Sequence, residues 1–208
     1  MKINIGSKEI VHFIGIGGIG MSGLAQIMNN MGFVVQGSDL NRNKNTERLI
    51  KLGIKVYFGH NQKNLKKATL VVISSAVKKN NKELKSAKLN KLPVFKRGDM
   101  LANVVALKKN IVVAGSHGKT TTTSLVANIL LEAGLDPTVI NGGIINSLKN
   151  TAQLGKGEWA VIESDESDGS FLKLPITYSI VTNIDKEHLD FYGSFERLKK
   201  YFSAFIEK

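Results

Sequence analysis

The chain has 208 residues, of which 42% are hydrophobic and 22% are charged, a composition typical of a globular protein with one large or two modest domains. It has no cysteine, which excludes disulfides and thiolate metal sites and suits a cytoplasmic location. We find no apolar run near the roughly 20 residues of a membrane span. The first residues also lack a signal-peptide layout. We therefore expect no membrane insertion.

The net charge of +12 raises the question of nucleic-acid binding. The basic residues are 25 lysines and only 4 arginines, and the lysines are scattered along predicted helix faces. Arginine leads in bidentate recognition of bases and phosphates, and aromatic residues do not alternate with the basic ones as in single-strand binders. The composition predicts a solvated lysine surface and no nucleic-acid partner. Anionic small-molecule substrates would still benefit from the positive field.

The first half of the chain alternates short apolar runs with helical patterns. Strands are predicted at 9–14, 33–36, 54–58, 69–74 and 93–95. Helical segments are predicted at 21–31, 47–52 with Thr46 as N-cap, 61–67, 81–90 and 98–107. Such alternation without a long linker indicates a doubly wound parallel sheet.

A second series of strands and helices begins after the polar residues 108–110, so we predict domains at 1–107 and 108–208. Its strands are predicted at 111–114, 137–140, 158–163 and 178–182, and its helices at 120–132 and 195–206. The stretch from 141 to 157 has only a loose pattern. The predicted fold is α/β: a Rossmann-like domain with a parallel sheet, followed by part of a P-loop-type domain.

The strand at 111–114 runs into a glycine loop that precedes a helix. Backbone N–H groups of such a loop, together with the helix N-terminus, bind phosphate. A lysine supplies a mobile cation for the phosphates, and the hydroxyl that follows it can ligate Mg²⁺. Only two residues separate the glycines here, where the common pattern has four. The predicted ATP-binding residues are Gly115, Ser116, His117, Gly118, Lys119, Thr120 and Thr121.

An earlier glycine motif, Gly15, Gly17 and Gly20, matches G-x-G-x-x-G between a strand and a helix. Asp39 ends the next strand, where a ribose-binding acid would stand. By itself the motif predicts NAD or FAD binding. A glycine-rich turn without a ligand, or the diphosphate of another nucleotide, would give the same pattern.

Reactive groups also follow other strands of the second series. Glu163 ends one strand, and His188 lies in the segment after another. Ligands bind at the carboxyl ends of strands in open α/β sheets, and Mg²⁺ prefers oxygen ligands such as Thr120 and Glu163. His188 would be an unusual ligand for a second ion. The acidic run 163–170 indicates either a loop that binds a metal or an amine, or a helix N-cap.

These motifs together resemble the Mur ligase family of peptidoglycan synthesis, and the resemblance runs over essentially the whole chain. The shortened phosphate loop GSHGKTTT is one of its features. The others are HFIGIGGIGMSGLA at 12–25, GSD at 37–39, SSAV at 74–77, RGDML at 97–101, ESDESD at 163–168, and TNI at 182–184 with His188. The form of the first glycine loop is similar to that of family members that use L-alanine.

The resemblance implies that the first domain binds a UDP-sugar, with the loop 15–20 at the diphosphate and no nicotinamide. The residues that match this role are Gly15, Gly17, Gly18, Gly20, Met21, Ser38, Asp39, Ser75 and Arg97. It implies that the second domain binds ATP and Mg²⁺, with Thr120, Glu163 and His188 as metal ligands and with Lys119 and His188 as catalytic residues. The implied reaction joins L-alanine to the lactyl carboxylate of UDP-N-acetylmuramate through an acyl phosphate.

Family members carry a further C-terminal domain, so we expect this chain to be a truncated ligase that binds the UDP-sugar but turns over poorly alone. Two alternatives remain open on the residues themselves. One is an NAD-dependent oxidoreductase, and the other is a non-catalytic nucleotide-binding module.

Overall fold

The structure is a computed structural model that describes residues 9–145 and 150–208. The chain divides into two compact units, Met1–Asn103 and Val104–Lys208. Each unit contains a five-stranded sheet, which confirms the predicted α/β class. Within the described residues, none of the helices combines the length and the apolar character that crossing a membrane requires.

The first unit contains a fully parallel sheet. Its strands are β1 (Ile10–Ile14), β2 (Val34–Asp39), β3 (Lys55–Phe58), β4 (Leu70–Ile73) and β5 (Val94–Lys96). They lie in the order β3-β2-β1-β4-β5. The order reverses direction at β1, which is the switch point where open α/β sheets bind ligands.

The helices α1 (Ile19–Asn30), α2 (Lys44–Lys51) and α3 (Lys82–Leu89) lie between these strands, and α4 (Arg97–Val104) follows β5. A 3₁₀ turn at Gln62–Leu65 precedes β4. The central strand is apolar on both faces, with Val11, Phe13 and Ile14 fully buried. Burial of each such side chain stabilises the fold by about 1.5–3 kcal/mol, so β1 is the central strand of the unit's hydrophobic core.

The second unit contains a mixed sheet of β6 (Lys109–Ala114), β7 (Thr138–Ile145), β8 (Asn150–Gln153), β9 (Trp159–Glu163) and β10 (Tyr178–Val181). The order is β10-β6-β9-β7-β8, and only β8 runs antiparallel to its neighbour. Its helices are α5 (Lys119–Glu132), α6 (Leu189–Tyr192) and α7 (Phe195–Ile206). The strand β6, which leads into the phosphate loop, lies between β9 and β10.

Two local predictions were wrong. The loosely patterned stretch contains β8, because β7 extends to Ile145 and offers a partner edge that the local pattern does not reveal. The N-cap of α2 is Asn43, and Thr46 is the third helical residue. The Asn43 side chain accepts a hydrogen bond from the Thr46 N–H at 2.9 Å, and the Thr46 hydroxyl accepts one from the Asn43 N–H at 2.9 Å. This reciprocal pair is a capping box, so both residues serve the helix start.

The last helix was predicted with its observed bounds. Ser194 caps α7 by accepting a hydrogen bond from the Arg197 N–H at 3.2 Å. Its apolar face buries Leu198, Phe202 and Phe205. This helix packs its aromatic face on the turn that follows the acidic run, because Phe202 and Phe205 lie against the ring of Phe171.

Candidate functional site

The first glycine loop is tied to the end of β2. The Gly17 N–H donates to Asp39 Oδ2 at 2.8 Å. A Cβ on Gly17 would lie 2.7 Å from the Asn43 side chain and 2.9 Å from that of Asp39, so a larger residue would require these side chains to move. Gly15 has a φ of +84°, in the left-handed region that favours glycine. Asp39 therefore holds the loop at the end of β2.

A cavity of about 570 Å³ opens beside this loop, at the carboxyl ends of β1, β2 and β4. Four of the predicted UDP-sugar residues line it, namely Gly15, Gly17, Gly18 and Asp39. Its other wall comes from the segments after β3 and β4, with His60, Ser74 and 76–78. The cavity is large enough for a nucleotide and lies where the fold binds ligands.

The remaining predicted UDP-sugar residues do not line this cavity. Met21 is buried in the core under α1, and Ser38 is fully buried below the cavity. Ser75 is exposed beyond the end of β4. A Cβ on Gly20 would lie 3.1 Å from the guanidinium of Arg97, so these two residues are neighbours at the first turn of α1.

Sequence reasoning missed a buried carboxylate, Glu83, behind the cavity. Its side chain is fully buried and accepts hydrogen bonds from Ser38 Oγ at 2.5 Å and Asn64 Nδ2 at 2.6 Å. His60 Nδ1 lies 3.0 Å from one of its oxygens, and His12 Nε2 lies 3.6 Å from the other. The only local signal was a single acid in a lysine-rich helix, and its four partners come from distant positions.

The pKa of Glu83 reflects a balance of two effects. Burial opposes ionisation, but the nearby His12 ring and the hydrogen bonds from Ser38 and Asn64 outweigh it and hold the pKa of this carboxyl below its usual value. Because His60 turns Nδ1 toward Glu83 and also lines the cavity, the buried carboxylate fixes the orientation of a ring at the cavity wall.

The phosphate loop of the second unit depends on close contacts with the segment after β10. A Cβ on Gly115 would lie 2.1 Å from Thr182 Oγ1, and the φ of Gly115 is +137°. The His117 N–H donates to Asn183 Oδ1 at 2.9 Å, and the Asp185 N–H donates to Ser116 Oγ at 2.8 Å. These bonds fix the short loop, which precedes α5, on the segment that follows β10.

The helix α5 begins at Lys119, and its N-cap is Gly118, with a φ of +77°. The cap has no side chain, so no capping hydroxyl or carboxylate takes the place of an anion at this helix end. Thr120 lies in the first turn and donates from Oγ1 to Glu163 Oε1 at 3.1 Å. The structure therefore brings together Thr120 and Glu163, two of the predicted metal ligands. Thr121 is exposed in the same turn.

Lys119 folds back over its own loop. Its Nζ donates to the carbonyl oxygens of Gly115 and Ser116, and to Glu166 Oε1 at 2.8 Å. Glu166 lies in the acidic run and has a side chain that is only 4% exposed. The contact shows which acid of the run meets the lysine, a point that the sequence left open.

Burial raises the pKa of Glu166 above its usual value, although the Lys119 ammonium opposes the shift. The Tyr192 hydroxyl donates to the backbone carbonyl of Glu166 and is itself buried, and burial also raises the pKa of this hydroxyl. Glu166 Oε2 is buried, and no group among the described residues forms a hydrogen bond with it. A buried oxygen of this kind is open to pairing with a water molecule or a cation.

The His188 side chain lies beside that of Glu166. Its Nε2 lies 3.7 Å from Glu166 Oε1, and donor atoms of Glu166, Glu187 and His188 all lie within 4.8 Å of one another. His188 has a φ of +54°, an uncommon conformation for a residue with a side chain. His117, predicted to bind ATP, is exposed and lies 3.1 Å from Asp185 and 3.8 Å from Glu187.

The donor atoms around this loop fit divalent cations. Thr120 and Glu163 offer a hydroxyl and a carboxylate oxygen at the end of the phosphate loop, which is what Mg²⁺ takes beside phosphates and water. The second group, with Glu166, Glu187 and His188, offers two carboxylates and one imidazole. Both groups lie at the carboxyl-terminal edge of the sheet.

Two family models match the chain. The Mur ligase family catalytic domain matches residues 10–109, and the Mur ligase middle domain matches residues 113–208. Among curated relatives, the UDP-N-acetylmuramate–L-alanine ligase of Pelagibacter ubique is 64% identical over 208 residues, which are 100% of this chain and 45% of the relative. The enzyme of the same name from Parvibaculum lavamentivorans is 58% identical over 95% of this chain and 40% of its own.

Solved structures give the same result. The UDP-N-acetylmuramate-alanine ligase MurC of Thermotoga maritima has a TM-score of 0.89 at 35% identity, over 94% of this chain and 46% of that chain. The UDP-N-acetylmuramate:L-alanyl-gamma-D-glutamyl-meso-diaminopimelate ligase of Neisseria meningitides also has a TM-score of 0.89, at 30% identity, over 96% of this chain and 68% of that chain. The chain spans less than half the length of the curated relatives named above. Its two matched domains, its glycine loops and its sheet order show that the chain belongs to the Mur ligase family.

Proposed function

We propose that this chain provides the UDP-sugar and ATP sites of a ligase that joins L-alanine to UDP-N-acetylmuramate in peptidoglycan synthesis. The observation that carries the proposal is the environment of the second loop. There the adjacent residues Lys119 and Thr120 contact two different carboxylates, Glu166 and Glu163, at a helix start without a capping side chain. A loop of this kind suits transfer of a phosphoryl group more than simple nucleotide storage.

The relatives support the choice of substrates. Two curated proteins with 64% and 58% identity to this chain are named for UDP-N-acetylmuramate and L-alanine. In the first unit, the cavity beside Gly15, Gly17 and Gly18 would take the UDP portion, with the diphosphate at the start of α1. The ligands are cytoplasmic metabolites, so we place the protein in the cytoplasm.

The proposed reaction has two steps. The lactyl carboxylate of UDP-N-acetylmuramate attacks the γ-phosphorus of ATP, the bond to ADP breaks, and an acyl phosphate forms. The amine of L-alanine then attacks the acyl carbon, inorganic phosphate leaves, and the amine gives up a proton. Both steps concentrate negative charge on phosphate oxygens, so stabilising that charge is the main task of the protein.

The chain's own groups are suited to that task. The Lys119 ammonium turns from Glu166 to the γ-phosphate, while backbone N–H groups of 118–120 bind the other phosphate oxygens. Thr120 and Glu163 would hold Mg²⁺, with His188 at a second ion. When bound, Mg²⁺ would supply positive charge that offsets the negative charge of the phosphate oxygens. His188 orients the acidic segment through its contact with Glu166.

Ligand binding tests this proposal most simply, because the chain spans less than half of the curated relatives' length and turnover belongs to the whole protein. Titration calorimetry would be run with UDP-N-acetylmuramate, with ATP plus Mg²⁺, and with NAD. We expect the first two to bind and NAD to give no heat above dilution. Binding of NAD without binding of UDP-N-acetylmuramate would favour an oxidoreductase and overturn the proposal.

A further inference from the structure

The Lys119 ammonium has no free donor in the present arrangement. A lysine has three N–H bonds, and the three acceptors here are the carbonyls of Gly115 and Ser116 and the carboxylate of Glu166. A triphosphate can therefore engage this ammonium only if one of these bonds breaks. The bond to Glu166 is the only one of the three that is made by a side chain, and this carboxylate carries negative charge as a phosphate oxygen does.

Burial and a hydrogen bond from Tyr192 hold Glu166 in its position. The side chain is 4% exposed, and the Tyr192 hydroxyl ties the backbone carbonyl of Glu166 in place. A carboxylate buried to this degree needs an ionic or hydrogen-bonding partner, since leaving it unpaired is strongly unfavourable. Once Lys119 turns to a phosphate, Glu166 loses that partner at Oε1, while Oε2 already has no partner among the described residues.

The replacement partner is indicated by the neighbours of Glu166. His188 Nε2 lies 3.7 Å from Glu166 Oε1, and Glu187 brings a second carboxylate within 4.8 Å of both. Two carboxylates and an imidazole attract a divalent cation, and the two carboxylates repel each other without it. While Lys119 contacts the same oxygen, its charge opposes the arrival of that cation.

We propose that Glu166 occupies the place of a phosphate at Lys119 in the nucleotide-free chain, and that it becomes a ligand of a divalent cation, with Glu187 and His188, when a triphosphate draws Lys119 away. This inference rests on the proposed function, because it requires that ATP binds at the second loop. It adds two residues, Glu166 and Glu187, to the ligands expected from the sequence, and it makes the second ion depend on the nucleotide.

Manganese binding followed by electron paramagnetic resonance provides the first test. The unaltered chain is titrated with Mn²⁺ alone and with Mn²⁺ plus a non-hydrolysable ATP analogue. We expect two Mn²⁺ per chain with the analogue, and at least tenfold weaker binding at the second site without it. Equal affinity of the second site with and without the analogue would overturn the exchange, whatever any variant does.

The variant Glu166→Gln keeps the shape of the side chain and removes its charge. We expect it to bind one Mn²⁺ per chain with the analogue, and to bind the metal-free analogue in EDTA at least fivefold more tightly, because no carboxylate then competes with the phosphate for Lys119. The matched control is Asp190→Asn, which removes one charge from an exposed residue of the same segment. It should keep two Mn²⁺ and change the analogue affinity less than twofold.

A third variant separates the two halves of the proposal. His188→Asn should lose the second Mn²⁺ but keep the metal-free analogue affinity, because His188 does not contact Lys119. If Glu166→Gln retains two Mn²⁺, or binds the metal-free analogue no more tightly than Asp190→Asn, the proposal is wrong. Failure of the unaltered chain to bind the analogue at all would contradict the proposed function itself.

Discussion

At the scale of single residues, the arrangement of the second loop depends on one cationic side chain, Lys119, which has several hydrogen-bond partners. Lys119 links the loop carbonyls to the buried Glu166, and the neighbouring Thr120 links α5 to Glu163. The glycines and the Lys-Thr pair were visible in the sequence. The choice of Glu166 as the lysine's partner was not, because it depends on how the turn after β9 is folded.

Lys119→Ala should weaken binding of ATP with Mg²⁺ by roughly ten- to hundredfold, since a charged hydrogen bond to phosphate contributes about 1.5–3 kcal/mol. Titration calorimetry measures the change. The control is Lys109→Ala, which removes an exposed lysine from β6 in the same unit. An unchanged affinity in Lys119→Ala would show that this lysine does not contact the nucleotide.

Glu83 gives a second residue-scale prediction. Glu83→Gln should lower the free energy of unfolding of the first unit by about 3 kcal/mol at neutral pH. The reason is that the polar groups around position 83 lose the buried carboxylate with which they interact. The measurement is amide hydrogen exchange in β1. Glu47→Gln, at an exposed position, should change the same quantity by less than about 0.5 kcal/mol.

The effect of Glu83 should depend on pH with a definite sign. Its pKa is lower in the folded chain than the usual 4.5, so its stabilisation is present above that value and is lost as the pH falls through the lower, folded pKa. Melting temperatures of the unaltered chain and of Glu83→Gln should therefore converge on acidification from pH 7 toward pH 3. Curves that stay parallel would mean that Glu83 is not ionised in the fold.

At the scale of elements, the apolar periodicity of the sequence predicted the helices and strands whose formation depends on nearby residues. The helix α7 and the strands around β1 follow directly from apolar spacing and capping residues. The strand β8 was missed, since its existence depends on the free edge of β7. The buried network around Glu83 was missed for the same kind of reason, because its members come from β1, β2, α3 and the residues after β3.

The phosphate loop gives a prediction at this scale. Gly115→Ala should destabilise the second unit by about 3 kcal/mol, the sum of a left-handed backbone penalty and a clash with Thr182. Gly134→Ala is a control with a φ of +72° and no atom within 4 Å of the added Cβ, so it should cost about 1–2 kcal/mol. Urea unfolding followed by the fluorescence of Trp159, the single tryptophan, reports on this unit. Equal costs at the two glycines would mean that the loop does not pack closely on Thr182.

At the scale of the whole chain, two sheets each place a glycine loop at the carboxyl end of a central strand. The two loops differ in a way that matters for chemistry. The first borders a cavity of about 570 Å³, whose lining includes Asp39, His60 and Lys78. The second is surrounded by carboxylates, a histidine and a lysine. The sequence predicted both loops and the α/β class, but the first glycine motif by itself predicted NAD or FAD, and only the family resemblance implied a UDP-sugar.

Hydrogen exchange with and without ligands tests directly whether each unit holds its own nucleotide. We expect UDP-N-acetylmuramate to slow amide exchange at 15–20 and 74–78, ATP with Mg²⁺ to slow it at 115–123, and NAD to slow neither segment. Slowed exchange at 15–20 with NAD, but none with UDP-N-acetylmuramate, would contradict the assignment of this chain to the synthesis of peptidoglycan precursors.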